Sequence, residues 1–126
     1  MTLQEEAKKI QDYTDIQCSD NPEELKDRIL TLQVYLSRSG YMLSQAKKEL
    51  NKQKTAEIQK TIISIAKQAC LSANVQNALL KSICIEESEL VDWIDRINAT
   101  CTHQIDACRS ILSYVKEDLK LGRTGY

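Results

Sequence analysis

At 126 residues, 42% of them hydrophobic and 28% charged, the chain has the make-up of one globular domain or one protomer of a small oligomer. One proline, three glycines and no phenylalanine leave little material for the turns and core of a β-sandwich. Seventeen basic against eighteen acidic side chains give a net charge of −1, which excludes a global positive field that would recruit nucleic acid or an anionic membrane.

The opening residues Met1-Thr-Leu-Gln-Glu-Glu have neither a basic nor an apolar signal region, so no signal peptide is expected. No apolar run reaches the roughly 18 residues that a membrane span needs. The cysteines, Cys18, Cys70, Cys84, Cys101 and Cys108, are odd in number and form no CxxC. That is the pattern of free, mostly buried thiols in a reducing compartment, and a cytoplasmic location is expected.

Thr2 followed by Glu5 reads as a capping box opening a first helix over residues 3–17, with a thin apolar stripe led by Leu3, Ala7 and Ile10. A polar break follows. Asn21, Pro22, Glu23 and Glu24 then mark a second helix over 22–53: a cap, a proline suited to the first turn, and two acids at the positive dipole end. Along it Leu25, Ile29, Leu32, Leu36, Ser39, Leu43, Ala46 and Leu50 keep strict 4-3 spacing, a coiled-coil-like seam over about 45 Å. Gly40, with Ser37, Ser39, Ser44 and Ala46, makes a low-relief patch where a ligand or another backbone can approach. Lys47, Lys48, Lys52, Lys54 and Lys60, interrupted by Glu49 and Glu57, form the basic stretch.

A third helix is predicted over 55–70, striped by Ile58, Ile62, Ile65 and Ala69, and a fourth over 73–85, with Val75, Leu79 and Ile83 flanked by Leu80. Ser72 and Asn74 are both able caps between them. The last helix, over 88–120, repeats the seam with Leu90, Ile94, Ile97, Cys101, Gln104, Cys108, Ile111 and Val115, and its wide apolar face implies burial on two sides. Residues 121–126, opening with Leu121 and Gly122, are expected to end the helix in a flexible tail. The whole is an all-α, elongated helical bundle with two long coiled-coil-like helices, expected to be a homo-oligomer.

The two seams match at an offset of 65 positions: Leu25 with Leu90, Ile29 with Ile94, Leu32 with Ile97, Leu36 with Cys101 and Ser39 with Gln104. If the third segment runs back between them, the long helices are parallel and Ser39 faces Gln104 in a buried polar layer that sets register.

Cys101, His103 and Cys108 cannot close one tetrahedral shell, because 101 and 103 diverge by about 200° on a helix. The same geometry argues against a Cys–His nucleophile, and no catalytic residue, metal or other cofactor is implied. A binding role is the alternative. Arg96, Thr102, His103 and Arg109 point outward, while Asn98 and Gln104 lie on or beside the packing face. With Arg38, Ser39 and Lys47 from the second helix they form the candidate ligand-binding set, arginine supplying a planar fork for phosphate.

Two segments, Arg38-Ser-Gly-Tyr-Met-Leu-Ser-Gln-Ala-Lys47 and Val91-Asp-Trp-Ile-Asp-Arg-Ile-Asn-Ala-Thr-Cys-Thr-His-Gln-Ile-Asp-Ala-Cys-Arg109, resemble small helical proteins of tailed bacteriophages and prophages. The resemblance implies the cytoplasm of a bacterial host, where such proteins bind a host protein or sequester a nucleotide signal of an antiviral defence. The expectation is a non-enzymatic phage-type binding protein that inhibits such a pathway. The alternatives are nucleic-acid accessory binding through the lysines, which the near-neutral charge disfavours, and a purely structural oligomerisation adaptor.

Overall fold

The computed structural model describes residues 1–124, and the side chains of all of these except 57–59, 80, 123 and 124. The predicted roles of Glu57, Ile58 and Leu80 and the end of the tail lie outside the described residues. Five helices, and no strand among the described residues, follow in order: α1 Leu3–Thr14, α2 Pro22–Lys54, α3 Glu57–Gln68, α4 Ala73–Ile83 and α5 Ile85–Thr124. No described helix is long and apolar enough to cross a membrane.

Both N-terminal caps form as their residue types require. The Thr2 hydroxyl accepts from the Glu5 amide at 3.1 Å while the Glu5 carboxylate accepts from the Thr2 amide at 3.2 Å. Asn21 accepts from the amides of Glu23 and Glu24, and Pro22 takes the first helical position. Ser72 caps α4 through the Val75 amide. Between α3 and α4 the chain turns at Cys70, the one non-glycine residue with positive φ among those described, at 57°. The Leu71 amide donates to the Ala66 carbonyl and the Cys70 amide to that of Lys67, a Schellman-type ending made without glycine.

α2 and α5 pack along their length, and they are antiparallel. As α2 ascends through Arg28 and Ser39, its partners on α5 descend through Gln104 and Asn98. This corrects the parallel arrangement with Ser39 opposite Gln104. α3 and α4 pack mainly on each other as a hairpin that returns the chain to the end of α2 it left. α1 lies against both long helices, with Trp93 of α5 donating to Gln11 and Arg38 of α2 paired with Glu6.

The core holds Ala7 and Ile10 from α1, Leu25, Leu32, Met42 and Ala46 from α2, and Ile94, Ile97, Cys101, Ile105 and Cys108 from α5. On α2 the buried line is rotated from the predicted seam. Arg28 and Met42 are buried, whereas Ile29, Leu36, Leu43 and Leu50 are half-buried. The rotation follows from two neighbours, because the deepest line on a helix lies between the directions of α5 and α1.

Three boundaries differ by three or four residues, and those of α2, α3 and α4 by two at most. α1 stops at Thr14 instead of 17, because its last carbonyls are capped from other helices. α5 starts at Ile85, continuous with the acids that favour its dipole, and runs on through Gly122, which has no positive φ and so ends nothing. Gly40 lies on the exposed side of α2, and a Cβ there would meet only Asn98 Nδ2 at 3.8 Å, ordinary contact. No close backbone approach within the chain requires it.

Candidate functional site

Two polar layers cross the α2–α5 contact. In the first, Asn98 Nδ2 donates to the Leu36 carbonyl at 3.1 Å and to Ser39 Oγ at 2.9 Å, and Ser39 Oγ donates to the same carbonyl at 3.0 Å. Ser39 is fully buried. The partner of Ser39 is therefore Asn98, and both side chains are used in holding the two helices together.

The second layer is built around Arg28, a residue the sequence reading passed over. Its guanidinium is buried and donates to Gln104 Oε1 at 3.0 Å and to the Tyr13 carbonyl at 3.4 Å, while sitting 4.8 Å over the Tyr13 ring. Gln104 Nε2 donates to the Thr14 carbonyl at 2.8 Å. Tyr13 in turn meets Tyr35 edge to face at 5.2 Å. The carbonyls of Tyr13 and Thr14 lie at the end of α1, whose last turn has no basic residue of its own; that of Tyr13 also accepts from the Ile16 amide at 3.2 Å. Gln104 from α5 satisfies the Thr14 carbonyl, Arg28 from α2 adds a second donor to that of Tyr13, and the cation meets the negative end of the α1 dipole. A buried charge without a carboxylate partner is thus balanced by a helix terminus and an aromatic face. The available signal was spacing: Arg28 falls between Leu25 and Leu32, on the flank of the apolar stripe. Beside it opens a groove of about 350 Å³, lined by Thr14, Cys18, Arg28, Gln104 and Cys108 together with Asp15 and Asp20. The two carboxylates set its rim against a polyanion.

The remaining candidate residues do not converge. Arg38 makes a two-point pair with Glu6, at 2.6 and 2.8 Å, and lies 5.0 Å over the Tyr41 ring. Hydrogen bonding from Arg38 holds the Glu6 carboxyl below its ordinary 4.5, against the opposing effect of burial. Lys47 is exposed and lines a shallow, open groove with Gly40, Ser44 and Lys48. Arg96, Thr102, His103 and Arg109 are all exposed. At 100° per residue Arg96 and His103 share one side of α5, whereas Thr102 and Arg109 lie some 100–140° away from them. Cys101 and Cys108 are buried, and burial pushes both thiols up, away from nucleophilic character. Among the described residues no group of three metal-ligating side chains comes together.

Compared with protein-family models, with curated proteins and with solved structures, the chain matches none of them.

Gln104→Leu is expected to destabilise the fold by about 1–3 kcal/mol in urea titration, since it strips partners from the Thr14 carbonyl and from Arg28. Arg28→Met combined with it should cost less than the sum of the single changes, because apolar groups then replace both partners. Additive losses would mean the two residues do not act as one layer. For the Glu6–Arg38 pair the folded carboxyl titrates below the unfolded one. Its stabilisation is therefore present above about pH 4.5 and lost as pH falls through the depressed folded value. The urea midpoint of Arg38→Met should lie below that of the natural protein at neutral pH, and the gap should close in acid. A gap that persists unchanged in acid would assign it to packing alone.

Proposed function

We propose that the protein is a non-enzymatic binding protein that acts by occupying a host protein, in the manner of a phage-type inhibitor of an antiviral defence pathway. The α3–α4 hairpin is its contact surface. The observation that carries this reading is the apolar line Val75, Leu79, Ile83 on α4. Its members stand at i, i+4 and i+8, and all three are exposed. Ile65 of α3 is exposed as well. Among the described residues the two hairpin helices contribute none to the main core, and the buried one is Ala66. An exposed line of this kind, set on two helices that pack mainly on each other, is suited to insertion against a partner surface.

The other polar candidates favour this reading over a nucleotide site within one chain. Ser39, Asn98 and Gln104 have their hydrogen bonds inside the bundle, Arg38 has a carboxylate, and Arg109 lies on a different side of α5 from Arg96 and His103. A nucleotide held between subunits remains the form in which the sequestration idea is testable, and nucleic-acid binding through Lys47, Lys48 and Lys52 is the third outcome.

A photo-crosslinking residue placed at Leu79 in the full chain, expressed in the bacterial host, should trap one dominant host protein. The same adduct should disappear when Val75→Glu and Ile83→Glu are added, with helix content and unfolding midpoint unchanged. No protein adduct, or one indifferent to these substitutions, would contradict the reading. Nucleotide released on heat denaturation, or salt-sensitive retention of DNA or RNA, would replace it by the corresponding alternative.

A further inference from the structure

The outer side of α2, turned away from the core, carries a second stripe that the bundle leaves uncovered. At 4-3 spacing it runs Glu23, Asp27, Leu30, Val34, Ser37, Tyr41, Ser44, Lys48, with Lys52 one turn beyond, and every one of these side chains is exposed. Its centre is apolar, with Leu30 61%, Val34 65% and Tyr41 54% exposed. Its two ends carry opposite charge. The acids stand at the start, the lysines at the finish, and the small Ser37 lies midway. Glu23, Asp27, Lys48 and Lys52 form no ion pair with any described residue.

We infer that this stripe docks a second copy of the same chain, α2 against α2, antiparallel about a two-fold axis near Ser37. A two-fold axis demands a surface complementary to itself. Reversing this stripe end for end places Glu23 and Asp27 of one copy alongside Lys48 and Lys52 of the other, twice over. Val34 falls opposite the partner's Tyr41, and Leu30 one turn further along, beside the partner's Ser44. Neither a parallel pairing nor a displaced one achieves both matches, since parallel pairing sets like charges together at both ends. Within a single helix, Glu23 with Asp27 and Lys48 with Lys52 are like charges at i, i+4, which is unfavourable on its own. The helix dipole favours only charges in the first and last turns, and Asp27 and Lys48 lie beyond them. An opposite charge from a second copy removes the repulsion at both ends.

The centre is prepared for the contact. Arg38 lies over the ring of Tyr41 while its charge is taken by Glu6, so the ring is held by its own chain and no bare guanidinium faces its symmetry mate across the axis. The stripe is roughly 45 Å long, which gives two rigid helices a continuous line of contact without any rearrangement of the bundle.

The test is sedimentation equilibrium of the full chain over a dilution series. The natural protein should approach twice its 14.4 kDa chain mass as concentration rises. Reversing the acidic end (Glu23→Lys with Asp27→Lys) or the basic end (Lys48→Glu with Lys52→Glu) should each weaken association about tenfold or more. Carrying all four changes in one chain should restore it, because the two-fold axis then pairs the reversed ends again. Val34→Arg at the exposed centre should give a monomer with unchanged helix content, a control independent of the charge reversals. A natural protein that stays monomeric overturns the proposal. So does association indifferent to Val34→Arg, or a fourfold reversal that fails to restore what the twofold reversals remove.

Discussion

The antiparallel contact of α2 with α5 is the constraint on which the rest of the structure depends. Two long helices joined by some thirty residues can lie side by side in either direction, and apolar seams alone do not choose between them. The choice is made where polar groups must be satisfied. Asn98 reaches across to the Leu36 carbonyl and Ser39, and one level away Gln104 and Arg28 meet at the end of α1. A buried amide or guanidinium missing its partners costs more than a misfitted methyl group. These two layers therefore fix direction and register together. α1 then has one seat, because its C-terminal carbonyls are finished by side chains from both long helices.

Much of this was legible in the sequence wherever the cause was local. Thr2 with Glu5, and Asn21 with Pro22, specify helix starts through groups two or three residues apart, and both form as read. The periodic apolar spacing located all the helices. Direction was not legible. Two seams that both repeat every seven residues align at many offsets and in both senses, so the match of Leu25 with Leu90 or Leu36 with Cys101 carried no information about which face met which. The same limit explains the rotation of the α2 core line, since a third helix packed on one flank leaves no local mark on the stripe it shifts. The end of α1 at Thr14 is likewise set by Arg28 and Gln104, residues 14 and 90 positions away from it.

The candidate site was legible in part. Setting Asn98 and Gln104 on the packing side and Arg96, Thr102, His103 and Arg109 outside agrees with their observed exposure. Pairing them was beyond what spacing can tell, and Arg28 was missed because a charged residue on an apolar flank reads as a surface residue. Once the buried polar groups are assigned to the fold, exposed apolar side chains remain on the α3–α4 hairpin, on the outer face of α2 and along the C-terminal part of α5. The proposed binding role rests on such apolar surface.

The direction of α5 against α2 can be measured directly by spin-label distances in a background with Cys18→Ser and Cys70→Ser, diluted with unlabelled chain. Labels at exposed positions 26 and 106 should sit close together across the helix pair, and labels at 26 and 92 should be farther apart by roughly 20 Å along the axis. The reverse order, with 92 the near position, would mean the long helices are parallel and would contradict the polar layers on which this account stands.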